Sequence, residues 1–292
     1  MGGGVLKNIL AAAGAVFIIV IVLSIVVGVF ASGAITGDKV AVVELLGVIA
    51  DSTEINQELK DLGDRDDVKA VVVRIDSPGG AVGPSQEIHR EIRKLREKKT
   101  VVASMGAMAA SGGYYAAVAA NKVVANPGTI TGSIGVIIEF FNAQELLGKL
   151  GLKGYVVKSG KYKDVGSPLR EMSPEEQELI QAVINDVNSQ FIKAVAEGRG
   201  IAPEAVAKIA DGRIFTGAQA KEQGLVDELG SLSDAIALSA RLAGIEGEPE
   251  VVYTGKPRIS FWKAMFGDAS VDSLTGLFSG LRLMYLMPNP AR

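Results

Sequence analysis

The chain predicts an α/β fold, on three observations. Val40 to Ile49 is strongly apolar, Val68 to Ile75 is rich in β-branched residues, and Thr100 to Ser104 repeats the pattern, so all three read as buried strands. Helical segments at Ser52 to Leu62 and Pro84 to Glu97 alternate with them. Strands alternating with helices lead to a mixed α/β sheet with helical cover.

Before these elements, Asn8 to Gly37 holds no charged residue, and Ala15 to Phe30 is almost wholly apolar. That exceeds the roughly 20 residues needed to cross a bilayer and is too long for the apolar region of an ordinary signal peptide. The small residues Ala31 to Ala34 would suit cleavage, but length favours an uncleaved transmembrane helix. Lys7 before the helix places the N-terminus in the cytoplasm and everything after Gly37 outside.

Past Thr100, short strands are expected at Lys122 to Ala125 and Tyr155 to Lys158, with a helix at Ala143 to Leu150 between them. Ser173 to Glu176 reads as a capping box with proline at the first helical position. Ile180, Ile184, Val187, Phe191 and Val195 then form the buried stripe of a long helix. Asp211 to Gly230 combines a strand, a short Ala-rich helix and a glycine stop. The resulting division is an N-terminal stub and anchor over 1–37, one domain over 38–258, and an apolar tail over 259–292. Such a tail, with Phe261, Trp262, Phe278 and Tyr285, needs cover, from this chain, a neighbouring copy or the membrane surface.

Composition removes several classes of function. The chain has no cysteine and one histidine, which excludes disulfides and thiolate sites and argues against zinc. A net charge of −3 argues against nucleic acid as the main partner. The lone histidine, His89, falls off the Ile88, Ile92 and Leu95 stripe among charged residues and is expected to be solvated.

Ser111 opens a helical stretch in a run of small residues, Ala109 to Gly113, with no histidine or cysteine downstream. If it is a nucleophile, its base is a lysine. Asp76-Ser77-Pro78-Gly79-Gly80 directly follows a buried strand, where glycine lets main-chain N–H groups face a ligand. With the N–H of Gly112 at the helix start, this would make an oxyanion hole, each donor contributing about 3 kcal/mol to a transition state.

Taken with Thr131 to Val136, Lys158 to Asp164 and Asp211 to Gly217, these segments resemble the signal peptide peptidase A family of membrane serine peptidases. The resemblance covers most of residues 38–245. It implies the Clp protease/crotonase-like ββα-repeat fold and a Ser/Lys dyad with Ser111 as nucleophile and Lys163 as general base. It further implies Gly80 and Gly112 as oxyanion donors and Ser133 as the residue that orients the lysine. Lys158 and Lys161 are the competing lysines. A free lysine, near pKa 10.4, is protonated at neutral pH, so burial or neighbouring positive charge has to lower it. No metal or organic cofactor is implied.

The expected substrates are cleaved signal peptides and other apolar peptides met at the outer membrane face. The expected assembly is a homo-oligomeric ring in which serine and lysine can come from different subunits. A catalytically silent membrane scaffold and a crotonase-type acyl-CoA enzyme are the alternatives.

Overall fold

A computed structural model describes residue 14, residues 16–24, residues 38–254 and the backbone of residues 284–286. Residues 16–24 are helical, with apolar side chains exposed, and the remainder of the expected membrane span lies outside the described residues. No helix among the described residues is long and apolar enough to cross a membrane.

The core is a sheet of mostly parallel strands. Its main path runs β7 (Ile214–Thr216), β6 (Ile130–Gly132), β4 (Thr100–Ala110), β2 (Val68–Ser77), β1 (Lys39–Leu46) and β9 (Glu250–Tyr253). β4 forks. Its residues Val102 to Met105 pair with β5 (Lys122–Ala125), which in turn pairs with β8 (Glu228–Leu229), whereas Met108 to Ala110 pair with β6. Every pairing in this sheet is parallel except β6 with β7.

Val40 to Val43 and Ala70 to Val73 are almost fully buried on both faces, which explains their unbroken β-branched sequence. Side-chain alternation sends Ala41, Val43, Val71 and Val73 into the larger apolar layer and Val40, Val42, Ala70 and Val72 into a smaller one. Helices α1 (Thr53–Asp64), α2 (Val82–Arg96), α3 (Gly112–Ala117) and α5 (Pro174–Arg199) cover the first face, and α8 (Leu232–Leu242) covers the second through Ala235, Leu238 and Ala240. The short helices α4 (Gln144–Lys149), α6 (Pro203–Ala207) and α7 (Gly217–Glu222) lie in the connections.

α5 starts where the sequence places it. Ser173 Oγ accepts from Glu176 N, and the Glu176 carboxylate accepts from Ser173 N at 2.9 Å. Its stripe is buried at Val187, Phe191 and Val195 but only partly at Ile180 and Ile184.

Two expectations are corrected. Tyr155 to Lys158 is not a strand: it lies exposed on the arm that links β6 to α5, with no neighbouring strand among the described residues to supply a ladder. His89 is not solvated. It is buried, with its ring 4.8 Å from that of Tyr115, because α2 is covered by α3 as well as by α1 and so buries an arc wider than one stripe. Burial, reinforced by Arg93 and Arg96, lowers its pKa to about 4, so His89 is neutral at pH 7.

Candidate active site

The site is assembled where three strand ends meet. β4 and β6 run side by side with Ala110 opposite Gly132, and each strand is followed at once by a serine with positive φ. Ser111 has φ 52° and ψ −118°, and Ser133 has φ 50°. A side chain in this region costs on the order of 1–3 kcal/mol and persists only where its surroundings enforce it. Here they do. Ser111 N donates to Gly132 O at 2.8 Å, Ser111 O accepts from Tyr115 N at 2.8 Å, and Ser133 N donates to Arg213 O at 2.8 Å. The segment from Asp211 therefore clamps β6 through β7 rather than merely packing nearby, with Gly212 N also donating to Ile134 O at 3.0 Å.

Behind Ser111, α3 is anchored by Tyr114, which is fully buried and donates its hydroxyl to Leu225 O at 2.9 Å. Gly112 occupies the first helical position, so its N–H has no carbonyl of its own helix to bond. A Cβ on Gly112 would lie 3.2 Å from Gly80 N and 2.5 Å from Ser85 Oγ. The two expected donor glycines are thus brought together against Ser111. Ser85, which sequence reading missed, is fully buried and donates to Ala81 O at 2.9 Å, so it braces the same junction from α2.

Gly80 belongs to β3 (Gly79–Ala81), which is held on one edge by Ile49: Ile49 N donates to Gly79 O and Ala81 N donates to Ile49 O. A Cβ on Gly80 would stand 2.1 Å from Ile49 O, so only glycine fits. On the other edge, β10 (Met284–Leu286) pairs antiparallel with β3, Tyr285 opposite Gly80. The rest of the apolar tail lies outside the described residues.

Lys163 stands apart from this cluster. It is exposed, in a turn where its N–H donates to Gly160 O at 3.2 Å, and no hydrogen bond joins it to Ser111 among the described residues. The competing lysines are engaged elsewhere: Lys158 with Asp164, and Lys161 with Glu175. Arg170 also grips Asp164 in a forked pair at 2.8 and 2.9 Å and reaches Glu176, tying the lysine turn to the start of α5. These partners hold the carboxyl of Asp164 well below the usual carboxylate range, first through Arg170 and then through Lys158. Lys163 makes no ion pair among the described residues.

The arm carrying Lys163, residues 137–172, folds back on itself, Ala143 N donating to Pro168 O at 2.8 Å. It leaves Phe141, Leu150, Tyr155 and Val157 exposed. Among the described residues, no group of three or more His, Cys, Asp or Glu is placed to hold a metal ion.

The arrangement can present a serine hydroxyl beside two main-chain donors, which suits acyl transfer. The profile of Peptidase family S49 matches residues 93–246. A Synechocystis protein named as the protease slr0021 is 50% identical over 213 residues, covering 72% of this chain and 76% of its own. An Enterococcus faecium protein named as a signal peptide peptidase is 38% identical over 212 residues, covering 68% of this chain and 62% of its own. Among solved structures, a ClpP1 mutant of Listeria monocytogenes superposes with a TM-score of 0.46 at 21% identity, over 67% of this chain and 94% of that one. By the profile match and the Synechocystis relative, the chain belongs to peptidase family S49.

Proposed function

We infer that the protein is a membrane-anchored serine endopeptidase with a Ser111/Lys163 dyad, built on a Clp protease/crotonase-like fold. Its substrates are signal peptides left in the membrane after release. The observation that carries this reading is the enforced positive-φ turn at Ser111, with Gly112 packed against Gly80 N.

In the reaction, the Lys163 amine takes the Ser111 Oγ proton as Oγ bonds to the scissile carbonyl carbon. The N–H groups of Gly80 and Gly112 receive the oxyanion. The C–N bond breaks, and Lys163 returns the proton to the leaving amine. Water, deprotonated by the same lysine, then attacks the acyl ester, freeing the carboxylic acid and restoring Ser111. Ser133, whose backbone is clamped beside Ser111, fixes the lysine by accepting an amine N–H at its hydroxyl oxygen.

Within one chain Lys163 is exposed and Ser111 is buried, while the lysine-bearing arm displays uncovered apolar side chains. These features support a homo-oligomeric ring in which the arm of one copy lies over the nucleophile of the next. An extended apolar peptide would add as a strand to the edge of β3 that β10 occupies, taking the place of β10. The uncharged segment 8–37 anchors the chain, with the catalytic domain on the extracytoplasmic side.

The test is labelling of the full chain in detergent with a fluorophosphonate, followed by peptide mapping. Modification of Ser111, lost in Ser111→Ala, is the expected result. Hydrolysis of apolar peptides without labelling of Ser111 would overturn the serine assignment. A protein that is neither labelled nor hydrolytic would favour the silent scaffold.

A further inference from the structure

β4 does not run evenly along β2. Ile75 pairs with Met105, but the next paired residues are Ser77 and Ala109, so β4 spends four residues where β2 spends two. The surplus residues bulge out of the ladder just before the nucleophile turn, and their main-chain donors lose the carbonyls a regular strand would offer. The side chain of Asp76 takes that place. Its Oδ1 accepts from Met108 N at 3.1 Å, and Oδ2 lies 3.5 Å from Ala107 N.

Two further residues fit the carboxylate to the bulge. A Cβ on Gly106 would stand 2.8 Å from Asp76 Oδ2, so glycine alone admits the carboxylate at this distance. From the other side, Thr129 Oγ1 donates to Gly106 O at 2.7 Å. The backbone of Asp76 also serves the donor strand: its carbonyl accepts from Gly47 N at 2.9 Å, in the turn leading to Ile49. Asp76 is the point where the nucleophile strand, the Gly79–Gly80 donor strand and the Ile49 brace are held together.

We propose that Asp76 is a positioning residue for Ser111: its carboxylate fixes the bulge at Gly106–Met108 and thereby the placement of Ser111 relative to Gly80 and Gly112. This rests on the serine peptidase reading above. A slip of β4 by one residue would move Ser111 by roughly 3.3 Å, and a displacement of about 1 Å can cost on the order of 10²-fold in rate.

The experiment uses the full chain in detergent and compares wild type with Asp76→Ala, Asp76→Asn and Gly106→Ala. It records kcat and KM on an apolar fluorogenic peptide, the fluorophosphonate labelling rate at Ser111 per folded molecule, and Tm. The expected result for Asp76→Ala is a fall of about 10²-fold in kcat and labelling rate together, with KM within about twofold of wild type. Asp76→Asn, which keeps one acceptor oxygen for Met108 N, falls less, and Gly106→Ala, which expels the carboxylate, matches Asp76→Ala. Should Asp76→Ala fail to fold, Asp76→Asn and Gly106→Ala carry the comparison. A labelled, hydrolytic wild type whose variants lose only Tm, with kcat and labelling per folded molecule unchanged, overturns the role of Asp76 alone. A wild type that is neither labelled nor hydrolytic overturns the peptidase reading and this role with it.

Discussion

Ser111→Gly should stabilise the protein while abolishing its activity. Ser111 is held at φ 52° and ψ −118°, a conformation that glycine adopts freely and serine does not. Relief of that strain is worth roughly 1–3 kcal/mol, and the greater freedom of glycine in the unfolded chain returns about 0.5–1 kcal/mol. A net gain of about 1 kcal/mol remains, which for a domain of this size raises Tm by about 2–4 °C. The proper reference is Ser111→Ala, which loses the same buried hydroxyl but keeps a Cβ and therefore the strain. Thermal unfolding of both variants, followed by circular dichroism in the same detergent, should place the glycine variant above the alanine variant, with neither hydrolysing peptide. A glycine variant equal to or below alanine would show that the turn is unstrained and that the stability given up for function lies elsewhere.

Other outcomes follow from the same geometry. Because the folded pKa of His89, about 4, lies below its ordinary 6.5, the unfolded chain binds a proton that the folded chain refuses between those values. The stabilisation is therefore complete above pH 6.5 and is lost as pH falls toward 4, by at most about 1.4 kcal/mol per pH unit. His89→Gln should flatten the pH dependence of the urea midpoint across that window, and an unchanged slope would mean that His89 is not buried. Deleting residues 281–292 should raise peptide hydrolysis by lowering KM, because β10 lies on the edge of β3 that a substrate strand would use. Unchanged kinetics would show that the tail does not compete there.

The alternation of elements and the clean start of α5 were legible because they rest on local signals: β-branched runs, helical spacing and a capping box at Ser173. The need for glycine at 80 and 112 was also legible, since Gly80 follows directly on a buried strand and Gly112 opens a helix, and a Cβ at either would meet a neighbour at 2.1 or 2.5 Å. The bulge at Gly106–Met108 could not, because it is a mismatch of register between β2 and β4 and appears in neither strand alone. His89 was misplaced for a similar reason: the helix spacing shows which arc faces the sheet but not that α3 covers a second arc through Tyr115. Tyr155 to Lys158 has the composition of a strand, yet strand formation depends on a partner that the arm does not meet among the described residues. The φ of 50° at Ser133, which follows β6 where Gly132 lies opposite Ala110, left no trace in composition.

The most direct measurement compares hydrolysis of an apolar, alanine-containing peptide by wild type, Ser111→Ala, Lys163→Ala and a co-assembled mixture of the two variants, all at matched oligomeric state. If Ser111 and Lys163 form the dyad across neighbouring copies, each variant alone is inactive and the mixture recovers part of the wild-type rate. Lys163→Ala retaining hydrolysis would contradict the dyad and move the base to another residue, with Lys158 and Lys161 the first to examine.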